Sequence, residues 1–236
     1  TLSDVILRHR AEEALKEIDR RKDEFLATLS HELRNPLAPL KNSLHVLRLV
    51  GANAAAAAPV HAMMERQVEH LVRLVVDLLG MSRISRGTFE LRCERVELAT
   101  IVRNAVETSD PLIERARHRL ELELPRAPVW LDGDPVRLAQ ILSNLLNNAA
   151  KYTPLGGRIV LRAEAQSGFA VISVCDNGAG IAPEALSRIF EMFSRGEQAG
   201  EAGDSSLGIG LPLARRLAQM HGGSIEAASQ GRGKGA

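Results

Sequence analysis

Aromatic side chains are scarce in this chain. One Trp, one Tyr and five Phe make up 3% of its 236 residues, so aliphatic and alanine packing has to fill any core. Two cysteines, Cys93 and Cys175, are too few for a disulfide scaffold and lack metal-ligand spacing. Reduced thiols in a cytoplasmic protein are the simple expectation. A formal net charge of +1 argues against a nucleic-acid binder, which concentrates basic charge on one face. No stretch of about 18 apolar residues is present to span a membrane, and no signal-peptide pattern opens the chain. What remains, 45% apolar and 25% charged residues, is ordinary globular composition with length for one or two cores.

The stretch that organises the rest is Phe25 to Leu47, FLATLSHELRNPLAPLKNSLHVL. Leu26, Leu29, Leu33, Leu37, Leu40, Leu44 and Leu47 recur at steps of three and four, the spacing of an amphipathic helix with a buried seam. At about 100° per residue, His31 lies opposite the midpoint of Leu29 and Leu33. It therefore faces outward, with Glu32 beside it and Asn35 one turn on. Pro36 cannot donate to the Glu32 carbonyl, so a bend is expected just past the histidine. A histidine on a polar helix face is ordinarily just solvated. Its surrounding string, SHELRNPL, resembles the phospho-acceptor box of two-component sensor histidine kinases.

Before this helix, residues 1 to 24 mix Leu7, Ala14 and Ile18 with dense opposite charge, a pattern expected of a coiled-coil or signalling helix. After it, GANAAAAAPV (Gly51 to Val60) reads as a small-residue loop, and a second amphipathic helix is expected from about Val60 to Ile84. One such hairpin leaves a wide apolar stripe wet, and two bury it as a four-helix bundle. A homodimer is the expectation. RISRGT then reads as a linker, and the periodicity changes. Strands are expected in FELRCERVEL, HRLELELP, PVWLD, Arg158–Ala165, Phe169–Cys175 and SIEAAS, among helices at 98–113, 135–153, 183 onward and 210–220. Asp134-Pro135 carries the N-cap and first-turn proline of the second of these helices. Mixed strands and helices point to a two-layer α/β sandwich. The expected divisions are a signalling helix at 1–24, a helical hairpin at 25–86 and an α/β domain at 87–236.

Four clusters in this last domain bear on chemistry. Asn144, Asn148 and Lys151 sit at i, i+4 and i+7 of NLLNNAAKYT, a polar ridge on a leucine-rich helix. Amides there can meet phosphate oxygens or a hard cation, and the lysine adds positive charge. In DNGAGI, Asp176 follows an apolar strand, and Gly178 and Gly180 allow close backbone approach to a flat ligand. By itself, Asp-Asn-Gly is an ordinary hairpin turn. IFEMF supplies Phe190 and Phe193. In SSLGIGLPLARRLAQMHGG, Gly208 and Gly210 precede a helix whose N-terminal amides can hold an anion, though no Walker lysine follows. His221 is expected to serve that helix's far end as a cation.

In this order, the clusters resemble the ATP-binding fold shared by histidine kinases, gyrase, mismatch-repair ATPases and heat-shock chaperone ATPases. The resemblance implies ATP and Mg²⁺ as cofactors, with Asn148 as the metal ligand. It places Asn144, Lys151, Tyr152, Asp176, Gly178, Gly180, Ile181, Phe193, Leu207, Gly208, Gly210 and Leu211 around the nucleotide, with Asp176 on the adenine amine. It makes His31 the autophosphorylated residue, assisted by Glu32 and Asn35. The phosphoryl group would pass to an aspartate of a response-regulator receiver domain, with phosphatase activity toward that receiver as an added expectation. A PAS-type sensor upstream is implied by the opening residues, and a truncated final strand, or continuation into a further domain such as a receiver, by GRGKGA. Ser206 departs from the family pattern, which carries glycine there. Two other readings are an ATPase of the same nucleotide fold, which would need no acceptor histidine, and a degenerate kinase acting as a dimeric scaffold.

Overall fold

The computed structural model describes residues 2–50, 53–85, 89–166, 168–191 and 208–236; the side chains of several helical residues, Phe25 and Glu32 among them, lie outside the described set. The contacts divide the chain into two units that part between Leu78 and Leu79.

The first unit is a helical hairpin built from α1 (Leu2–Val50) and the part of α2 (Ala54–Ser85) up to Leu78. α1 continues as helix through Pro36 and Pro39. Its leucine seam is only partly covered. Leu29, Leu33, Leu40 and Leu47 are half-buried and Pro36 and Ser43 buried, whereas Leu37 is 53% and Leu44 51% exposed. At about 100° per residue the covered positions fill a sector of about 80°, and Leu37 and Leu44 lie just past its edge. α2 repeats the arrangement: Leu74 is buried, while Val68 and Val75 lie just past its covered sector and continue the apolar surface into solvent. The Ser43 hydroxyl donates to the Pro39 carbonyl at 2.8 Å, which satisfies this buried polar group.

α2 also corrects the expected loop. The alanine run belongs to the helix, which begins at Ala54 and contains Pro59. Alanine is the strongest helix former, and Asn53 caps the start, its Oδ1 accepting from Ala56 N at 3.3 Å and its carbonyl from Ala57 N at 3.0 Å.

The second unit runs β1 (Glu94–Glu97), α3 (Leu98–Arg115), β2 (Arg119–Glu123), β3 (Trp130–Gly133), α4 (Pro135–Tyr152), β4 (Arg158–Gln166), β5 (Phe169–Asp176), α5 (Pro183–Leu186) and α6 (Gly210–Met220). β1 pairs antiparallel with β3, and a second sheet has the order β2-β4-β5, with β2 parallel and β5 antiparallel to β4. Along β4, Ile159, Leu161 and Ala163 are buried and alternate with exposed Arg158, Arg162 and Glu164, the period-two pattern of a half-covered sheet. Their covered face meets Leu98, Ile101, Val102 and Ala105 of α3 and Leu142, Leu146 and Ala149 of α4 in one core. No aromatic residue belongs to the fully buried part of that core.

Two expected strands differ from those observed. FELRCERVEL contributes only Glu94–Glu97, because Glu94 pairs with Gly133, the last residue of β3. The Arg92 amide donates instead to Asp134 Oδ2 at 3.0 Å. SIEAAS (residues 224–229) joins no sheet; the segment after it hydrogen-bonds the turn that follows β5.

Asp134 caps α4 as its sequence predicts. Oδ1 accepts from Val136 N and Arg137 N, each at 3.1 Å. With the Arg92 bond, one carboxylate satisfies three amides. Asp134→Ala is expected to cost about 1–2 kcal/mol, read as a lower urea midpoint with unchanged slope. At the other end of α3, Arg117 closes the turn with φ +53, where a side chain is strained. Arg117→Gly is expected to stabilise the unit by about 0.5–1 kcal/mol in the same assay.

Candidate functional site

α4 starts where Asp134 starts it, and this sets the phase of its polar ridge. Asn144, Asn148 and Lys151 all come out half-buried along one side of the helix, with Ile141, Leu142, Leu146, Ala149 and Ala150 buried. Asn148 Nδ2 donates to the Asn144 carbonyl at 2.8 Å. That bond orients the amide and leaves Oδ1, the atom a hard cation prefers, outside it. Asn144 Nδ2 donates to the Gly210 carbonyl at 3.2 Å, so this ridge residue reaches the first residue of α6. Lys151 Nζ stands 5.3 Å from the Tyr152 ring centroid.

The α6 helix enters the site through its N-terminus. Gly208 has φ +62, and no side chain caps the helix, so its first-turn amides point at whatever anion is brought there. Its buried Leu213, Ala214, Leu217 and Ala218 anchor it, and Arg215 lies 5.2 Å from the Phe190 ring of IFEMF. His221 corrects the expected cation. Nε2 accepts from the Asp134 amide at 3.1 Å and Nδ1 lies 2.8 Å from the Leu217 carbonyl. An amide N–H only donates, so the proton sits on Nδ1, which donates to Leu217. The ring ties the last residues of α6 to the first of α4.

The third wall is the turn after β5. Gly178 N donates to Asp176 Oδ1 at 2.8 Å and Ala179 N to the Tyr152 carbonyl at 2.9 Å. A Cβ on Gly178 would stand 2.4 Å from that same carbonyl, so the turn meets the end of α4 only as glycine. Asp176 is half-buried, and burial raises its carboxyl above the usual aspartate range, offset in part by hydrogen bonds from Gly178 and Ala236. A raised folded-state value means that the ionised form opposes folding. The stabilisation from protonated Asp176 is present in acid and is lost as pH rises through the folded value.

The second unit thus gathers Asn144, Asn148, Lys151, Tyr152, Asp176, Gly178, Gly180, Ile181, Gly208, Gly210 and Leu211 on α4, the 176–181 turn and the start of α6. In the first unit, His31 and Asn35 are exposed on α1. The Glu32 side chain, Phe193, Ser206 and Leu207 lie outside the described residues. Among the described residues no group of three His, Cys, Asp or Glu side chains could hold a metal, and no helix is long and apolar enough to cross a membrane. Residues missed in the sequence are Ser229, which contacts Ile181, and His221 in its role toward Asp134; both act across the fold, and no local pattern marks them.

Residues 21–87 match the His Kinase A (phospho-acceptor) domain family. Residues 133–236 match the histidine kinase-, DNA gyrase B- and HSP90-like ATPase family. The probable sensor histidine kinase TcrY of Mycobacterium tuberculosis is 33% identical over 206 residues, 87% of this chain and 43% of the relative. The histidine protein kinase DivJ of Caulobacter vibrioides is 35% identical over 205 residues, 85% of this chain and 34% of the relative. The chain therefore spans less than half the length of these relatives. Among solved structures, the histidine kinase AdeS of Acinetobacter baumannii superposes with a TM-score of 0.65 at 25% identity, covering 85% of this chain and 92% of that one. Full-length ShkA in complex with AMPPNP superposes with a TM-score of 0.63 at 32% identity, covering 90% of this chain and 44% of that one. With a phospho-acceptor domain followed by an ATPase-type domain, in the order its motifs announce, the chain belongs to the histidine kinase family.

Proposed function

We propose that this chain is a kinase core that binds ATP in its second unit and transfers the γ-phosphoryl group to His31, for delivery to an aspartate of a receiver domain. The observation that carries this reading is the convergence of the α4 ridge, the Asp176 turn and the uncapped α6 N-terminus, in a chain that also exposes a histidine within SHELRNPL. ShkA, a relative in fold and sequence, was solved with an ATP analogue, which supports the choice of nucleotide.

In the proposed reaction the lone pair of one His31 ring nitrogen forms a bond to γ-phosphorus as the bond from that phosphorus to the β-bridging oxygen breaks, releasing ADP. Glu32 would accept a hydrogen bond from the other ring nitrogen and so fix the tautomer. A receiver carboxylate later attacks the same phosphorus, and the N–P bond breaks. Asn35 would position a water for hydrolysis of the receiver phosphate. Positioning and charge neutralisation supply most of the catalysis in such transfers. Lys151 and the α6 amides meet phosphate charge, and Asp176 accepts from the adenine amine. The donor set also fits Mg²⁺, which takes few protein ligands and otherwise phosphate and water oxygens. Asn148 Oδ1 would hold the ion, which when bound neutralises phosphate charge.

The division into a signalling helix, an acceptor hairpin and an ATP-binding domain is part of the same proposal, as are an upstream sensor and a cytoplasmic setting for the core. So is a homodimer. Leu37 and Leu44 on α1 and Val68 and Val75 on α2 continue the covered apolar sectors into solvent, and a second hairpin would bury them as a four-helix bundle.

Incubation with γ-labelled ATP and Mg²⁺ is expected to give acid-labile, alkali-stable label on the chain and none on His31→Gln. Label retained in the variant places the acceptor elsewhere; neither label nor nucleotide binding on either chain favours the scaffold reading. The Asp176 carboxylate gives a second prediction. Because its ionisation is pushed up, acidification weakens ADP binding from a higher pH than an ordinary aspartate sets. Asp176→Asn is expected to weaken binding about ten- to a hundredfold at neutral pH, the loss of a charged hydrogen bond. It should also flatten that acid limb in calorimetric titrations.

A further inference from the structure

The segment 229–236, SQGRGKGA, has three glycines at positive φ: Gly231, Gly233 and Gly235. Such a run flanked by Arg232 and Lys234 looks like an anion-binding nest. Its amides are already engaged. Gly231 N donates to Ser229 Oγ at 3.3 Å, Gly233 N to Ala179 O at 2.6 Å, Lys234 N to Gly231 O at 3.2 Å and Gly235 N to Gly178 O at 3.2 Å. Ala236 O accepts from Asp176 N at 2.9 Å. The segment is a clasp laid over the 176–181 turn.

Ser229 is the centre of this clasp. Its Oγ accepts from Ile181 N at 3.0 Å and from Gly231 N at 3.3 Å, and its proton goes to the Gly235 carbonyl. One donor and two acceptor sites are the full capacity of a hydroxyl. Contact between clasp and turn is also steric. A Cβ on Gly180 would stand 2.1 Å from Gly231 O, and one on Gly235 would stand 2.0 Å from Asp176 O. The turn is thus held between the end of α4, through Ala179 N and Tyr152 O, and the clasp, through Ile181 N and Ser229 Oγ. Asp176 stands at the start of that turn with its amide bonded to the clasp.

We propose that Ser229 is a positioning residue for nucleotide selectivity: its hydroxyl fixes the 176–181 turn so that the Asp176 carboxylate meets the exocyclic amine of adenine. This rests on the reading of that turn as the adenine site. Ser229→Ala leaves the Ile181 amide without its acceptor and loosens the clasp at its centre, while the phosphate-facing residues of α4 and α6 are untouched. Selectivity for the base should fall, and binding of the phosphate chain should persist.

The test compares affinities of the purified chain for ADP and for inosine diphosphate, in which a carbonyl replaces the amine. Ser229→Ala is expected to weaken ADP by about five- to tenfold, the loss of roughly one hydrogen bond. Inosine diphosphate should change little, so the ratio of the two constants shrinks by the same factor. Ser229→Thr, which keeps the hydroxyl, should restore the wild-type ratio. Thermal midpoints read in parallel separate a merely structural role, which would lower the midpoint and leave the ratio unchanged. Wild-type selectivity that survives in Ser229→Ala overturns this inference alone. A wild-type chain that binds both nucleotides equally, or neither, overturns the adenine reading and the inference with it.

Discussion

One helix has to satisfy two opposed demands, and the second unit is arranged around how it does so. α4 must be apolar enough to bury Leu142, Leu146 and Ala149 against the sheet, yet carry amides and a lysine along one edge. A helix reconciles these only if its phase is fixed, since a rotation of one residue, about 100°, would exchange core for ridge. The phase is fixed at the first turn by Asp134, whose carboxylate holds the amides of Val136, Arg137 and Arg92.

The helix is then held along its whole length by contacts from distant segments. His221 takes the Asp134 amide at the start and Gly210 takes the Asn144 side chain at the middle. At the end, Pro154 has no amide for the Ala150 carbonyl. His118 Nε2 lies 2.9 Å from that carbonyl and supplies the missing donor. Helix ends usually leave such carbonyls to water; a buried one needs a protein donor, which is why a histidine sits 9% exposed at the foot of α3. α6 is therefore attached to α4 at both ends, and an anion held at the α6 N-terminus is held in a fixed relation to Asn144 and Asn148.

The first unit has the opposite character. Its two helices leave an apolar strip beside each covered sector, and α1 presents His31 to solvent on the far side. The proposed acceptor chemistry would need that exposure, because a phosphoryl donor and a later recipient would each have to reach the same nitrogen. A bundle of two copies would reconcile the wet strip with the exposed histidine, since the two lie on different sides of α1.

Much of this was legible from the chain alone because it is encoded within a few residues. Seven leucines at helical spacing, Asp134-Pro135, the Asn144–Lys151 ridge and the glycines around Asp176 each state a local geometry that tertiary packing did not overrule. SHELRNPL and the order of the four clusters carried the family. Local pattern misled where two local tendencies competed: the alanine run was short and small enough for a loop, but helix propensity and the Asn53 cap decided it. It also misled for residues 224–229, whose strand-like pattern found no partner to pair with. What only the tertiary structure decided are the contacts between segments far apart in sequence. The Ser229 hydroxyl meets an amide 48 residues away, Asn144 a carbonyl 66 away, and His221 an amide 87 away. Hydrogen bonds of that reach leave no periodicity in the sequence, since either partner can be any residue with the right atom. They exist because the core brings α4, α6 and the turn after β5 together first.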